Sequence, residues 1–165
     1  MANYVNQFIL FVYSFMPYLL GFDPGRDKCG VAVAEKCSDA ESDQLAKYRI
    51  RRHQIFSASE VVDSLQEICQ QLPITTVVMG DGTTAKEWQQ KISSIISVPV
   101  VLVDERHSTL EARDRYWQMY PPLGFLKFVP QSLRPIDRPI DDIVAIILLE
   151  RYLGRSVITL GTQSF

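Results

Sequence analysis

Leu20-Gly21-Phe22-Asp23-Pro24-Gly25-Arg26-Asp27-Lys28-Cys29-Gly30-Val31-Ala32-Val33-Ala34 is the stretch whose reading decides the fold. Apolar residues from Tyr18 lead into it, Pro24-Gly25 interrupts it, and an apolar run from Gly30 to Ala34 leaves it. This pattern predicts two strands joined by a turn, with Asp23 at the end of the first. Alternation along a strand puts Leu19, Gly21 and Asp23 on one face, where Gly21 is expected to leave room beside the acid. Pro24 fixes φ and lacks an N–H, and Gly25 lets the backbone turn closely. A carboxylate on rigid backbone beside open space suits a metal ion or a phosphate-bearing substrate. The alternative is a turn aspartate that hydrogen-bonds only its own backbone.

Around this stretch, 165 residues with 47% hydrophobic content fit one domain with its own core. A formal net charge of -2 excludes a generally basic nucleic-acid coat and leaves room for a local basic face. Cys29, Cys37 and Cys69 are odd in number and form no C-x-x-C pair, so neither a disulfide framework nor a zinc site is indicated. They fit a reducing cytoplasm, with Cys29 and Cys69 as small core residues. The N-terminal run Phe8 to Leu20 is apolar, but it lacks a charged leader and Pro17 cuts it short of the ~20 residues of a membrane span. Residues 1–17 are therefore expected to be an apolar extension, 18–154 the folded domain and 155–165 a C-terminal tail, with no stable membrane insertion.

Glu35 to Gln44 is polar and acidic and predicts a solvated loop. Lys47 to Phe56 mixes β-branched and aromatic residues with cations and His53, which predicts an exposed third strand. Its charge either faces a phosphate backbone or protects a sheet edge. Ser57 or Ser59 is expected to cap a helix carrying Val61, Leu65, Ile68 and Leu72, ended by Pro73. Ile74 to Met79 predicts a strand buried on both faces, and Ala85 to Ser97 a helix turning Trp88 and Ile92 inward. Val100 to Val103 predicts another buried strand, followed by a helix capped by Ser108 or Thr109. A segment from Pro121 to Pro139 bridges to a last helix opening at Pro139, whose run Ile143 to Leu149 demands burial nearly all round. Three strands, then alternating helices and strands, make an α/β layer structure with a mixed sheet.

Three carboxylate positions fall where such sheets gather ligands: Asp23 ending a strand, Asp104-Glu105 ending the last strand, and Asp141-Asp142 opening the last helix. Carboxylates brought together repel strongly unless a cation lies between them. Such a cluster predicts Mg2+ or Mn2+, two ions of which can activate a water and stabilise the leaving oxygen of a phosphodiester.

Gly21-Phe22-Asp23-Pro24-Gly25 with Cys29-Gly30-Val31-Ala32, then Val103-Asp104-Glu105-Arg106-His107-Ser108-Thr109, then Ile140-Asp141-Asp142-Ile143-Val144-Ala145 together resemble the YqgF (RuvX-like) family. The resemblance implies an RNase H-like fold with a central mixed five-stranded sheet flanked by helices. It also implies a nuclease that matures precursor ribosomal RNA in ribosome biogenesis or cuts branched DNA as a candidate Holliday-junction resolvase. Matched position by position, Asp23, Glu105 and Asp141 are the expected catalytic acids and ligands of Mg2+ or Mn2+, with two ions expected alongside substrate. Arg106, Arg26 and Thr109 are the expected substrate-binding residues. The expected partner is structured RNA or branched DNA, and the expected form a cytoplasmic monomer or homodimer.

Individual positions keep two readings. Arg106 can grip the scissile phosphate or pair with a neighbouring acid. His107 can relay a proton or be a loop histidine without chemistry. Asp104 is expected to orient its loop, or to act as an alternative ligand, and Asp142 to face solvent or the helix N-terminus. Gly80-Asp81-Gly82 stands where the family usually has a Gly-x-Pro turn, and Lys127, Arg134 and Arg138 lie in a substrate-gripping loop or a solvated connection. Two rival functions remain at this point: an actin-like phosphate-binding domain using Asp23-Pro24-Gly25 and Asp81-Gly82-Thr83, and a non-catalytic binding module.

Overall fold

The computed structural model describes residues 17–37 and 47–159. The expectations for residues 1–16, for 38–44 of the acidic loop and for 160–165 of the tail lie outside the described residues, while Glu35 to Cys37, expected in that loop, continue the second strand. Strands β1 (Tyr18–Asp23), β2 (Lys28–Cys37) and β3 (Lys47–Ser57) come first, then α1 (Val61–Gln71), β4 (Ile74–Gly80), α2 (Ala85–Ser93), β5 (Val100–Val103), α3 (Ser108–Met119) and α4 (Asp141–Leu153). Two short 3-10 turns, Gly124–Phe128 and Gln131–Leu133, lie between α3 and α4, and β6 (Ile158–Thr159) closes the described chain.

The sheet order is β5-β4-β1-β2-β3-β6. β1, β2 and β3 pair antiparallel, while β4 and β5 run parallel to β1. This is the expected mixed α/β sheet flanked by helices, with one more strand than expected. The extra strand comes from the supposed tail: Ile158 and Thr159 pair with Arg49 and Ile50 on β3, and Val157 is buried. Arg115 donates to the Val157 carbonyl at 2.7 Å, and Val157 N–H donates to Glu150 at 2.9 Å. The folded unit thus runs past residue 154.

Residues alternate between the two sides of the sheet, and the two sides are packed by different helices. Tyr18, Leu20, Phe22, Cys29, Val31 and Val33 face α1 and α2, where Leu65, Ile92 and Trp88 fill the core. Leu19, Ala32 and Ala34 face the other way, against α4 and Ala112 of α3. Every residue from Ile143 to Leu149 is buried, as the uninterrupted apolar run requires.

The face around Gly21 is not the open space expected from sequence. A Cβ there would overlap the Ala145 carbonyl and the Leu149 side chain, so Gly21 admits α4 rather than a ligand. Gly30 does the same for the helix start, where a Cβ would overlap the Asp141 carbonyl.

Helix ends and one strand also differ from expectation. α1 is capped at Glu60 rather than by a serine, and Ser57 instead donates to the Glu60 carboxylate at 2.6 Å. α3 is capped by His107, which holds the left-handed conformation (φ 63°), and Ser108 is already its first helical residue. Histidine is among the residues enriched there, and the His107 carbonyl accepts from Leu110 and Glu111. α4 starts at Asp141 with Ile140 as its cap, two residues after Pro139, and α2 stops at Ser93. β5 is an edge strand, half-buried with Leu102 40% exposed, because only β4 pairs with it.

Candidate metal centre

β1, β4 and β5 run parallel and end together, which brings Asp23, Gly80-Asp81 and Asp104-Glu105 to one edge of the sheet. The three connections are tied to one another. Asp81 N–H donates to the Val103 carbonyl at 3.0 Å, and Thr84 donates to the Pro24 carbonyl at 3.2 Å. Glu105 N–H donates to the Asp81 carboxylate at 3.1 Å. Asp81, whose role sequence left open, therefore orients the Glu105 backbone.

Asp141 arrives from the other layer. Asp23 pairs with Gly30 across the β1–β2 ladder, and the backbone of Asp141 rests on Gly30. The absent side chain at position 30 lets the helix start meet the strand end.

Electrostatics follows from this assembly. Burial, the Asp141 carboxylate and the Glu105 carboxylate together push Asp23 up to about 7. Burial and then Asp81 also raise Glu105, opposed by a hydrogen bond from Gly82 N–H. Gly80 and Gly82 form the cradle for this side chain, since a Cβ at either would overlap the Glu105 carboxylate. Glycines on both sides of Asp81 are the sequence signal for that cradle.

Asp104 and Arg106 take the loop-orienting reading. Arg106 N–H donates to Asp104 at 2.9 Å, and the guanidinium holds the same carboxylate at 2.8 Å, keeping it down to about 2. The Arg106 side chain is 83% exposed, so it can swing to an incoming phosphate only by leaving this exposed pair. Arg151 fastens the loop to α4 through the carbonyls of Asp104 and Arg106 and an ion pair to Glu111 at 2.8 Å. Arg26 and Thr109 are exposed, one in the turn after Asp23 and the other at the start of α3.

Asp142 departs most from expectation. It is 3% exposed and sits between His53 Nδ1 at 2.6 Å and Arg138 at 3.1 Å. Burial opposes its charge, but these two hydrogen bonds outweigh burial and hold its carboxyl below the ordinary range. His53 faces α4 because it pairs with Ala32, a register that only the folded sheet reveals. Asp142 thus anchors the helix start that presents Asp141.

The oxygen-only donor set of Asp23, Glu105 and Asp141 suits a hard cation. Among the described residues no three Asp, Glu, His or Cys side chains yet converge closely enough to hold a metal ion. The carboxylate oxygens fit a divalent cation in chemistry.

The family described as RuvX, Holliday junction resolvase, matches residues 17–155, and the chain belongs to it. A relative from Caldanaerobacter subterraneus subsp. tengcongensis, named as a candidate pre-16S rRNA nuclease, is 27% identical over 146 residues, covering 82% of this chain and 94% of its own. Among solved structures, Thermus thermophilus RuvC is 13% identical with a TM-score of 0.47, covering 84% of this chain and 95% of that one. RuvC of the same organism in complex with Holliday junction substrate is 12% identical with a TM-score of 0.49, covering 83% and 94%. No helix among the described residues is long and apolar enough to cross a membrane.

Proposed function

We propose that this chain is a divalent-metal-dependent endonuclease that hydrolyses phosphodiester bonds in structured nucleic acid. The observation that supports the reading is the raised Asp23 at its strand end, lifted to about 7 by burial first and then by the Asp141 and Glu105 carboxylates. Family membership supports nuclease chemistry, and the names of the family and of its relative support two substrates, four-way DNA junctions and precursor 16S rRNA.

Asp23, Glu105 and Asp141 would hold Mg2+ or Mn2+. When bound, the cation supplies a lowered pKa for water and charge stabilisation at the phosphate. The chain's own residues do the rest. Gly80, Gly82 and Asp81 fix Glu105, and His53 and Arg138 fix the start of α4 through Asp142. Exposed Arg26 and Thr109 stand near the strand ends to meet phosphate, and Arg106 can exchange Asp104 for it.

The test is cleavage of a labelled four-way DNA junction and of a precursor ribosomal RNA with extended ends, by wild type and Asp23→Asn, with Mg2+ or Mn2+ and with chelator. Cleavage of one substrate only by wild type and only with metal is expected, and it fixes the substrate class. Equal cleavage by Asp23→Asn, or none of either substrate, overturns the reading.

A further inference from the structure

The segment between α3 and α4 does more than connect them. With the end of α3 it lines an open cavity of about 310 Å3, walled by Tyr116, Trp117, Tyr120, Pro122, Leu126 and Asp137. That volume is at the small end of the roughly 300–1,000 Å3 typical of small-molecule sites. The walls are flat rings: Tyr116 and Trp117 meet edge to face with centroids 4.9 Å apart, and Tyr120 lies 4.9 Å from Tyr116. The Trp117 indole N–H is buried with no acceptor among the described residues. Asp137 is exposed and offers carboxyl oxygens to a donor.

The segment is held in place rather than loose. Arg134 donates to the Leu126 and Val129 carbonyls at 3.1 and 2.8 Å and lies over Trp117, and Gln131 donates to Asp114 at 2.8 Å. Its outer surface is nevertheless apolar. Leu123 is 77% exposed, Phe125 79% and Phe128 83%. Phe125 and Phe128 are three residues apart on a 3-10 turn, a spacing that stacks them on one side, with Lys127 beside them.

Asp137 leads directly into Arg138, which lies over Tyr116 and Tyr120 and pairs with Asp142. Asp142 follows Asp141. The cavity wall and the candidate metal ligands are therefore parts of one bonded assembly.

We propose that this cavity takes an unpaired nucleobase from the substrate strand next to the cut, with the Phe125-Phe128 shelf stacking the following base. The assignment rests on the nuclease reading and adds a substrate feature to it: single-stranded nucleotides flanking the scissile phosphate. Aromatic walls suit a base's π-face, and Asp137 suits an exocyclic amino group. A base already unpaired enters at least cost. The chemistry is shared by RNA and DNA strands, and the two are separated by experiment.

The test uses the full chain and junction or precursor substrates, in ribose and deoxyribose forms, carrying a single 2-aminopurine at successive unpaired positions near the cut. Anisotropy of a distant label reports binding, and 2-aminopurine emission reports stacking. At one position emission should change on saturation, and Tyr120→Ala should abolish that change and weaken binding about tenfold. Asp137→Asn keeps the packing and should remove the preference for 2-aminopurine over purine at that position. Unchanged emission at every position while the substrate is bound and cut overturns this assignment and leaves the nuclease reading standing. Absence of both binding and cleavage overturns both. Unchanged emission with a concentration-dependent dimer that Phe125→Asp disperses gives the shelf to a second copy and also overturns the assignment.

Discussion

Towards α1 and α2 the central strands present Tyr18, Leu20, Phe22, Val31 and Val33, whereas towards α4 they present Leu19, Gly21, Gly30, Ala32 and Ala34. The first side is an ordinary core, in which large side chains hold helices at a distance. The second is a lane of small residues into which an apolar helix sinks until backbone meets backbone. The difference shows what the helix start requires: the Asp141 backbone can rest beside the end of β1 only because position 30, paired with Asp23, carries no side chain.

The largest effects should come from filling that lane. Gly30→Val places methyl groups where the Asp141 carbonyl lies, and cleavage should fall at least about 100-fold, since a shift near 1 Å at a catalytic group costs that much. Leu65→Ala on the opposite side should cost about 2–5 kcal/mol of stability while the folded fraction keeps its rate. Parallel melting and rate measurements on the two variants break the comparison if both lose only stability.

Next in size is the anchor of the helix start. Asp142→Ala leaves Arg138 and His53 without their buried acceptor and should destabilise by about 3–5 kcal/mol, measured by urea unfolding. Asp104→Ala removes an exposed pair and should leave the urea unfolding midpoint almost unchanged. Two acid–arginine pairs thereby separate a buried clamp from a surface one.

Asp23→Asn should abolish cleavage yet make the metal-free protein more stable above neutral pH. The native pKa lies near 7, above about 3.9 for an unfolded aspartate, so the folded state binds the extra proton between them. Metal-free wild type should lose stability as pH rises from about 4 to about 7, and the loss is complete above that. The Asp23→Asn variant lacks this contribution to the slope, and melting temperatures of both proteins across this range measure the difference.

Much of this is legible in sequence, for local reasons. The β1–β2 hairpin, the buried run of α4 and the acids at the strand ends each follow from composition over a few residues, and the three matched blocks point to the family. What escapes depends on register and on distance along the chain. His53 reads as one more polar residue of a charged strand until pairing with Ala32 turns it towards α4. Asp142 reads as solvent-facing because a first-turn acid needs no partner beyond the helix dipole, whereas a second layer of structure covers this one. Gly21 reads as open space beside a ligand when the helix that fills it lies more than a hundred residues later. The sixth strand is two residues long, too short for any periodicity to announce.

The central claim is that Asp23, Glu105 and Asp141 come together to hold a divalent cation, and thermal melting of the full chain with Mn2+ tests it most directly. Mn2+ should raise the melting temperature of wild type, more at pH 8 than at pH 6 because the ligands must be deprotonated, and should leave Asp23→Asn almost unmoved. Equal shifts in the two proteins, or no shift in wild type at either pH, would contradict it.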